Sequence, residues 1–107
     1  MKSEDWLNGR KRRPTHPGEL LREEVLPEAK MSQTELADAL GVSRKTINEI
    51  VREKAAVTAD MALRLARYFN TTPDMWLGLQ RDVDLWDAMT ANKAVYVKIK
   101  PRKNKAA

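Results

Sequence analysis

The amino-acid sequence predicts an all-α fold of five short helices. Three observations predict it: hydroxyl residues stand where helices would begin, apolar residues then recur at helical spacing, and glycine or proline separates the segments. The 107 residues suit one small domain, and 42% hydrophobic with 33% charged side chains is typical of a globular protein.

The first two predicted helices have clear ends. Pro17 suits the first position of the first helix, and Pro27 is expected to end or kink that helix. Ser32 begins the second helix and forms a capping box with Glu35, in which each side chain bonds to the other's backbone N–H. Gly41 ends this helix because glycine adopts the left-handed conformation at little cost.

A hydroxyl residue also precedes each of the remaining helices: Ser43 the third, Thr58 the fourth and Thr72, followed by Pro73, the fifth. Residues 94–100 instead alternate between apolar and polar side chains, which predicts a short strand. The predicted organisation is therefore a flexible basic arm over residues 1–16, a helical domain over 17–92, and a short strand with a basic tail over 93–107.

The most informative segment is residues 33–52, where two short helices meet across the turn Gly41-Val42-Ser43. A small residue, Ala37, stands where the helices would cross, and Ile47 and Ile50 would join the pair to the other helices. This spacing predicts a helix-turn-helix with the third helix steeply across the second. The alternative is an unrelated helical hairpin in a small bundle.

In a helix-turn-helix the third helix enters the major groove of DNA, and its outward side chains meet the base edges. Since Ile47, Ile50 and Val51 face the core, the outward residues are Arg44, Lys45, Thr46, Asn48 and Glu49. Arg and Lys can donate to guanine, Asn can pair with adenine, and Glu can accept from cytosine or only repel phosphate. Gln33 and Ser43 stand at helix N-termini, where phosphate binds. A merely solvated helix face is the alternative.

At these residues the sequence resembles the Xre family of phage-repressor (lambda-repressor-like) domains, and more narrowly the HigA-type antitoxins, or virulence-associated protein I family. The narrower resemblance depends on HPGEL at residues 16–20, QTELADALGVSRKTIN at 33–48 and the segment 58–85, and it covers roughly residues 15–92. Relatives often have Gly near Glu53, and this chain does not.

The resemblance implies a DNA-binding repressor that is also the antitoxin of a HigB/HigA module. Such an antitoxin represses its own operon and neutralises a HigB-type toxin, which is similar to a RelE-type ribonuclease. The alternative is a stand-alone phage- or plasmid-type Xre repressor without a toxin partner.

The charge is unevenly distributed along the chain. Of its 20 basic residues, ten lie in two terminal segments, 10–13 and 93–105, whereas residues 14–92 hold nine basic and thirteen acidic side chains. Basic arms are typical of proteins that bind a polyanion such as DNA, although they also occur as solubility tails.

The fifth helix has more apolar residues than one small core needs, which indicates a partner surface. We expect a two-fold homodimer formed by this helix and the unpaired edges of the C-terminal strand. The predicted interface residues are Trp76, Leu79, Val83, Leu85, Trp86, Met89, Val95 and Val97. Alternatively, this surface packs against the chain's own first helix or binds toxin.

The composition excludes several function classes. The chain has no Cys and one His, so it offers no disulfide framework, thiolate or multi-histidine metal site. No nucleophile or metal constellation suggests an enzyme, and we expect neither a cofactor nor a metal; His16 is expected to pack at a helix N-terminus. No apolar run approaches the roughly 18–20 residues of a membrane span, so a cytoplasmic, nucleoid-associated protein is expected.

Overall fold

The computed structural model describes residues 12–103, and in this part of the chain every regular element is a helix. Helix α1 consists of the continuous segments Pro17–Leu20, Leu21–Val25 and Leu26–Ala29. It is followed by α2 (Gln33–Leu40), α3 (Arg44–Val51), α4 (Ala59–Phe69) and α5 (Pro73–Lys98). The predicted all-α architecture of five helices is confirmed.

Each helix begins at a side chain that accepts a hydrogen bond from a backbone N–H of its first turn. Before α1, His16 Nδ1 accepts from the N–H of Gly18 at 2.8 Å, so this buried imidazole is the helix N-terminal residue that the sequence predicted. Ser32 and Glu35 form the predicted capping box of α2. The hydroxyls of Ser43, Thr58 and Thr72 cap α3, α4 and α5.

Pro27 does not end α1, which continues to Ala29. Proline has no N–H to bond the carbonyl four residues earlier. The preceding turn, Leu21–Val25, is a wider π-helical turn in which the N–H of Leu26 bonds the carbonyl of Leu21. The distortion that proline predicts therefore falls in the turn before Pro27, and the chain stays helical.

The C-terminal strand predicted for residues 94–100 is wrong, because α5 continues to Lys98. A lone strand would leave its backbone N–H and C=O groups unpaired, whereas a helix pairs them within the segment. The local interruption is Asn92, whose φ of −128° and ψ of 22° are not helical. Beyond it, Val95 and Val97 are exposed on the end of the helix.

The core lies among the five helices and includes Leu21, Leu36, Ile47, Leu65 and Trp76. Trp76 and Val83, predicted at a dimer interface, have exposed fractions of 1% and 0% in the single chain. That prediction is wrong for these two residues, because their side chains already pack inside the domain. No helix within residues 12–103 combines the length and apolar character needed to cross a membrane.

Part of the predicted arm contacts the domain. His16 is buried, and Arg13 bonds to Glu53 and Asp87. Of the basic residues in the two predicted arms, Arg10, Lys11 and Lys105 lie outside the described residues.

Candidate nucleic-acid interface

Helices α2 and α3 form a helix-turn-helix with a fixed turn. Gly41 adopts a left-handed φ of 71°, and the N–H of Val42 bonds the carbonyl of Ala37 at 3.0 Å. From α4, Arg64 Nη1 donates to the carbonyl of Leu40 at 2.7 Å. Because these bonds satisfy the last carbonyls of α2, the chain can turn sharply into α3.

The outer face of α3 presents the residues predicted to read DNA. Ile47, Ile50 and Val51 are buried, as the sequence predicted, so this helix is anchored by its opposite face. Arg44 and Lys45 are exposed, whereas Thr46, Asn48 and Glu49 are half-buried. The exposed cations stand in the first turn, which is the part of a recognition helix that meets the base edges.

Two of the predicted residues bond to each other across the motif. Asn48 Nδ2 donates to Gln33 Oε1 at 3.0 Å, which joins α3 to the first residue of α2. The amide of Asn48 keeps one N–H and its Oδ1, which is the pair of groups that adenine requires. The amino group of Gln33 stays available for a phosphate oxygen.

Ser43 serves first as a structural cap. Its Oγ accepts from the N–H of Thr46 at 3.1 Å and lies 2.8 Å from Thr46 Oγ1. These contacts occupy both hydroxyls, but the N–H groups of the first helical residues, Arg44 and Lys45, have no partner within an α-helix. The start of α3 can therefore hold a phosphate oxygen through its backbone.

The charges at this face favour an anionic ligand. Among the described residues, Arg44 has no ion-pair partner. Lys45 Nζ lies 3.9 Å from Glu49 Oε1, and the Lys45 side chain is 85% exposed, so this is a weak surface pair. Both cations can therefore turn towards DNA at little cost.

Sequence reasoning missed the ion pairs and hydrogen bonds that hold the C-terminal end of α3. Glu53, the second residue after the helix, adopts a left-handed φ of 61°, a conformation that glycine adopts more readily. Its carboxylate is held by Arg13 at 2.9 Å and Arg22 at 3.3 Å, and Arg22 also donates to the carbonyl of Val51. Since these partners are distant in the chain, no local sequence signal identifies them.

Comparison with known proteins agrees with this geometry. The helix-turn-helix family matches residues 21–76, and virulence-associated protein I of Dichelobacter nodosus is 54% identical over 70 residues, 65% of each chain. Antitoxin HigA-1 of Vibrio cholerae is 40% identical over 77 residues, 72% of each chain. The Pseudomonas aeruginosa antitoxin HigA, solved with the higBA promoter, superposes with a TM-score of 0.80 and 48% identity, covering 85% of this chain and all of that one.

This chain belongs to the HigA group of the Xre-type helix-turn-helix family. The HigA group consists of DNA-binding regulators and antitoxins and is not a class of enzymes. Within residues 12–103, moreover, no three His, Asp or Glu side chains are grouped to hold a metal ion. The surface that this HigA-group fold presents to DNA is the outer face of its helix-turn-helix.

Proposed function

We propose that this HigA-group chain is a repressor that recognises a specific operator with the first turns of α3. The observation that carries this proposal is the exposed guanidinium of Arg44, which has no ion-pair partner within residues 12–103, beside Lys45 at the N-terminal end of α3. The Pseudomonas aeruginosa antitoxin HigA, of the same group, was solved with promoter DNA, which supports a DNA-binding role for this surface.

Each residue at the surface has a chemical task in this proposal. Arg44 and Lys45 donate to guanine O6 and N7, and Asn48 pairs with adenine through its free N–H and Oδ1. Gln33 and the N-terminus of α3 bind phosphate, which fixes the register of the protein on the duplex. Thr46 and Glu49 border the same groove and restrict which bases fit.

The repressor acts as a two-fold homodimer in this proposal, because one recognition helix contacts too few base pairs to select an operator. A dimer places two such helices about 34 Å apart, one turn of DNA. The half-buried Leu79, Leu85, Trp86 and Met89 of α5, with the exposed Val95 and Val97, supply the apolar surface for it.

The chain is also, in this proposal, the antitoxin of a HigB/HigA-type module that acts in the cytoplasm. Similarity to HigA-1 of Vibrio cholerae and to the HigA solved with its promoter supports this role. A stand-alone Xre repressor is the second candidate, since the helix-turn-helix alone would suit either. A small basic reading frame directly beside the gene distinguishes the two.

The test has two arms. Purified full-length protein is titrated against the DNA upstream of its own gene and against a shuffled duplex of equal length, and we expect binding selective for the upstream DNA. The adjacent reading frame is then expressed with and without this chain, and we expect co-expression to restore growth and the two proteins to co-purify. Equal binding to both duplexes would contradict the proposal of a sequence-specific repressor. If the product of the adjacent reading frame neither inhibits growth nor co-purifies with this chain, the stand-alone candidate is favoured.

A further inference from the structure

Three distant parts of the chain meet at one guanidinium. Arg13 Nε and Nη2 donate to the two carboxylate oxygens of Asp87 at 3.0 and 3.1 Å, and Arg13 Nη1 donates to Glu53 Oε1 at 2.9 Å. Asp87 belongs to α5, whereas Glu53 is the second residue after α3. We refer to Arg13, Glu53 and Asp87 as the clamp.

The clamp has the geometry of a directed contact. A bidentate Arg–carboxylate bond fixes the orientation of both groups, which a single bond or a Lys pair does not. The hydrogen bonds from Arg13 lower the pKa of Asp87. Burial raises the pKa of Glu53, but hydrogen bonds from Arg13 and Arg22 outweigh it and the pKa is lowered. Both carboxylates are therefore charged near neutral pH, and the clamp is complete.

The position of the clamp connects the recognition helix to the proposed dimer helix. The N-terminal segment of α1, Pro17–Leu20, packs against both α3 and α5. Arg13 lies in the stretch of chain directly before this segment. Glu53 is also the residue whose carboxylate Arg22 holds while donating to the last carbonyl of α3. A change at Asp87 can therefore alter the position of the last turn of α3.

We infer that Arg13 is a positioning residue for operator geometry, because its bonds to Glu53 and Asp87 fix the direction of α3 relative to α5. The inference rests on the proposed function, in which α5 forms the dimer and α3 reads DNA. In such a dimer, the separation and angle of the two α3 helices follow from how each is held against its own α5. A dimer with a loosened clamp still binds DNA but tolerates half-sites at the wrong spacing.

The test measures spacing preference with the full-length protein. Affinities are determined for the native operator and for synthetic duplexes with one base pair added or removed between the half-sites. For Asp87→Ala we expect the preference for native spacing to fall by about threefold or more, within the range by which residues between coupled sites alter coupling. Glu53→Asn, which suits the left-handed backbone, should act in the same way from the α3 side.

Glu28→Ala is the control for net charge. Glu28 is an exposed carboxylate of α1 that contacts none of Arg13, Glu53 and Asp87, so this variant changes the net charge equally and leaves the clamp intact. It should leave spacing preference unchanged. Adding Asp87→Ala to Arg13→Ala should cause no further loss of spacing preference, because both substitutions remove bonds of the same guanidinium. An unchanged spacing preference in Asp87→Ala and Glu53→Asn, or an equal loss of preference in Glu28→Ala, would overturn the inference. Wild-type protein that binds no operator would contradict the proposed function instead.

Discussion

Gly18 in α1 lies directly against the carbonyl group of Ile50 in α3. A Cβ at Gly18 would stand 1.8 Å from the carbonyl oxygen of Ile50 and 2.8 Å from its carbon. Both are backbone atoms, so neither can turn aside as the end of a side chain would. The absence of a side chain at residue 18 therefore determines how closely the start of α1 can support the recognition helix.

We expect Gly18→Ala to destabilise the protein by about 1–3 kcal/mol or more, because α1 or α3 must shift to accommodate the methyl group. Thermal unfolding measures the effect. Gly78→Ala is the control: the nearest atom to its Cβ would be the side chain of Arg81 at 3.6 Å, and α5 should gain about 0.5–1 kcal/mol. Equal unfolding temperatures for Gly18→Ala and the wild type would contradict the close packing.

Ala37 tests the contact between α2 and α3. Its side chain is 2% exposed, so Ala37→Leu should over-pack the motif and cost about 1–3 kcal/mol. Ala39→Leu, at an exposed position of the same helix, adds the same side chain and should have little effect. Denaturant unfolding of the two variants gives the comparison, and a fully stable Ala37→Leu protein that still bound its operator would show that the helices do not need a small residue there.

Arg44 tests base readout. We expect Arg44→Ala to cost about 1–3 kcal/mol of specific binding and to relax the preference at one base position of each half-site. Arg67→Ala removes an exposed arginine from α4 and serves as the control for net charge. Both are compared by titration against the operator and its single-base variants. Retention of wild-type specificity by Arg44→Ala would mean that another face of α3 reads the DNA.

His16 tests pH dependence. Burial lowers the pKa of His16 from its ordinary value of 6.5, so the folded state favours the neutral imidazole that accepts from the N–H of Gly18. Its contribution is therefore fully present above pH 6.5 and is lost as the pH falls through the lowered pKa. We expect the unfolding temperature to fall between about pH 7.5 and about pH 5.5, where His titrates.

The control for this prediction is His16→Asn, which keeps a capping acceptor without a group that titrates in this range. Its unfolding temperature should be lower throughout, because Asn fills the buried site less well, but it should change less with pH. A parallel dependence in the two proteins would assign the effect to other groups.

The dimer prediction is tested at the surface of α5. Leu85→Asp with Val97→Asp places charges on the remaining apolar surface and should yield a folded monomer with weakened operator binding. Light scattering at micromolar concentration measures the mass, and circular dichroism confirms folding. Leu63→Asp, at an exposed apolar position of α4, is the control. Full dimerisation of the folded double variant would place the interface elsewhere.

The sequence by itself determined the helices of this protein and the residues that begin them. Capping is a contact between residues three apart or fewer, so Ser32, Ser43, Thr58 and Thr72 could be assigned to helix starts from the sequence. The apolar spacing in α3 also identified its buried face, and with it Arg44 and Lys45 as outward residues, because a helix has a fixed period.

Where the sequence was misleading, a local pattern competed with a wider context. Alternation over residues 94–100 predicted a strand, but the pattern does not show whether a partner strand exists, and the backbone satisfies its bonds by extending α5. Apolar residues of α5 likewise gave no indication of which face would be covered. Trp76 and Val83 pack into the chain's own core, whereas Leu79, Leu85 and Trp86 are only half-buried.

Only the tertiary structure decided which distant groups meet. Gly18 approaches Ile50, Gln33 bonds Asn48, and Arg13 joins Glu53 to Asp87, across separations of 15 to 74 residues. The periodicity of a helix fixes which side chains share a face, but not which other helix that face meets or at what angle. These contacts follow from how the five helices pack around one core. They hold α3, which carries the recognition surface, in its position against the other helices.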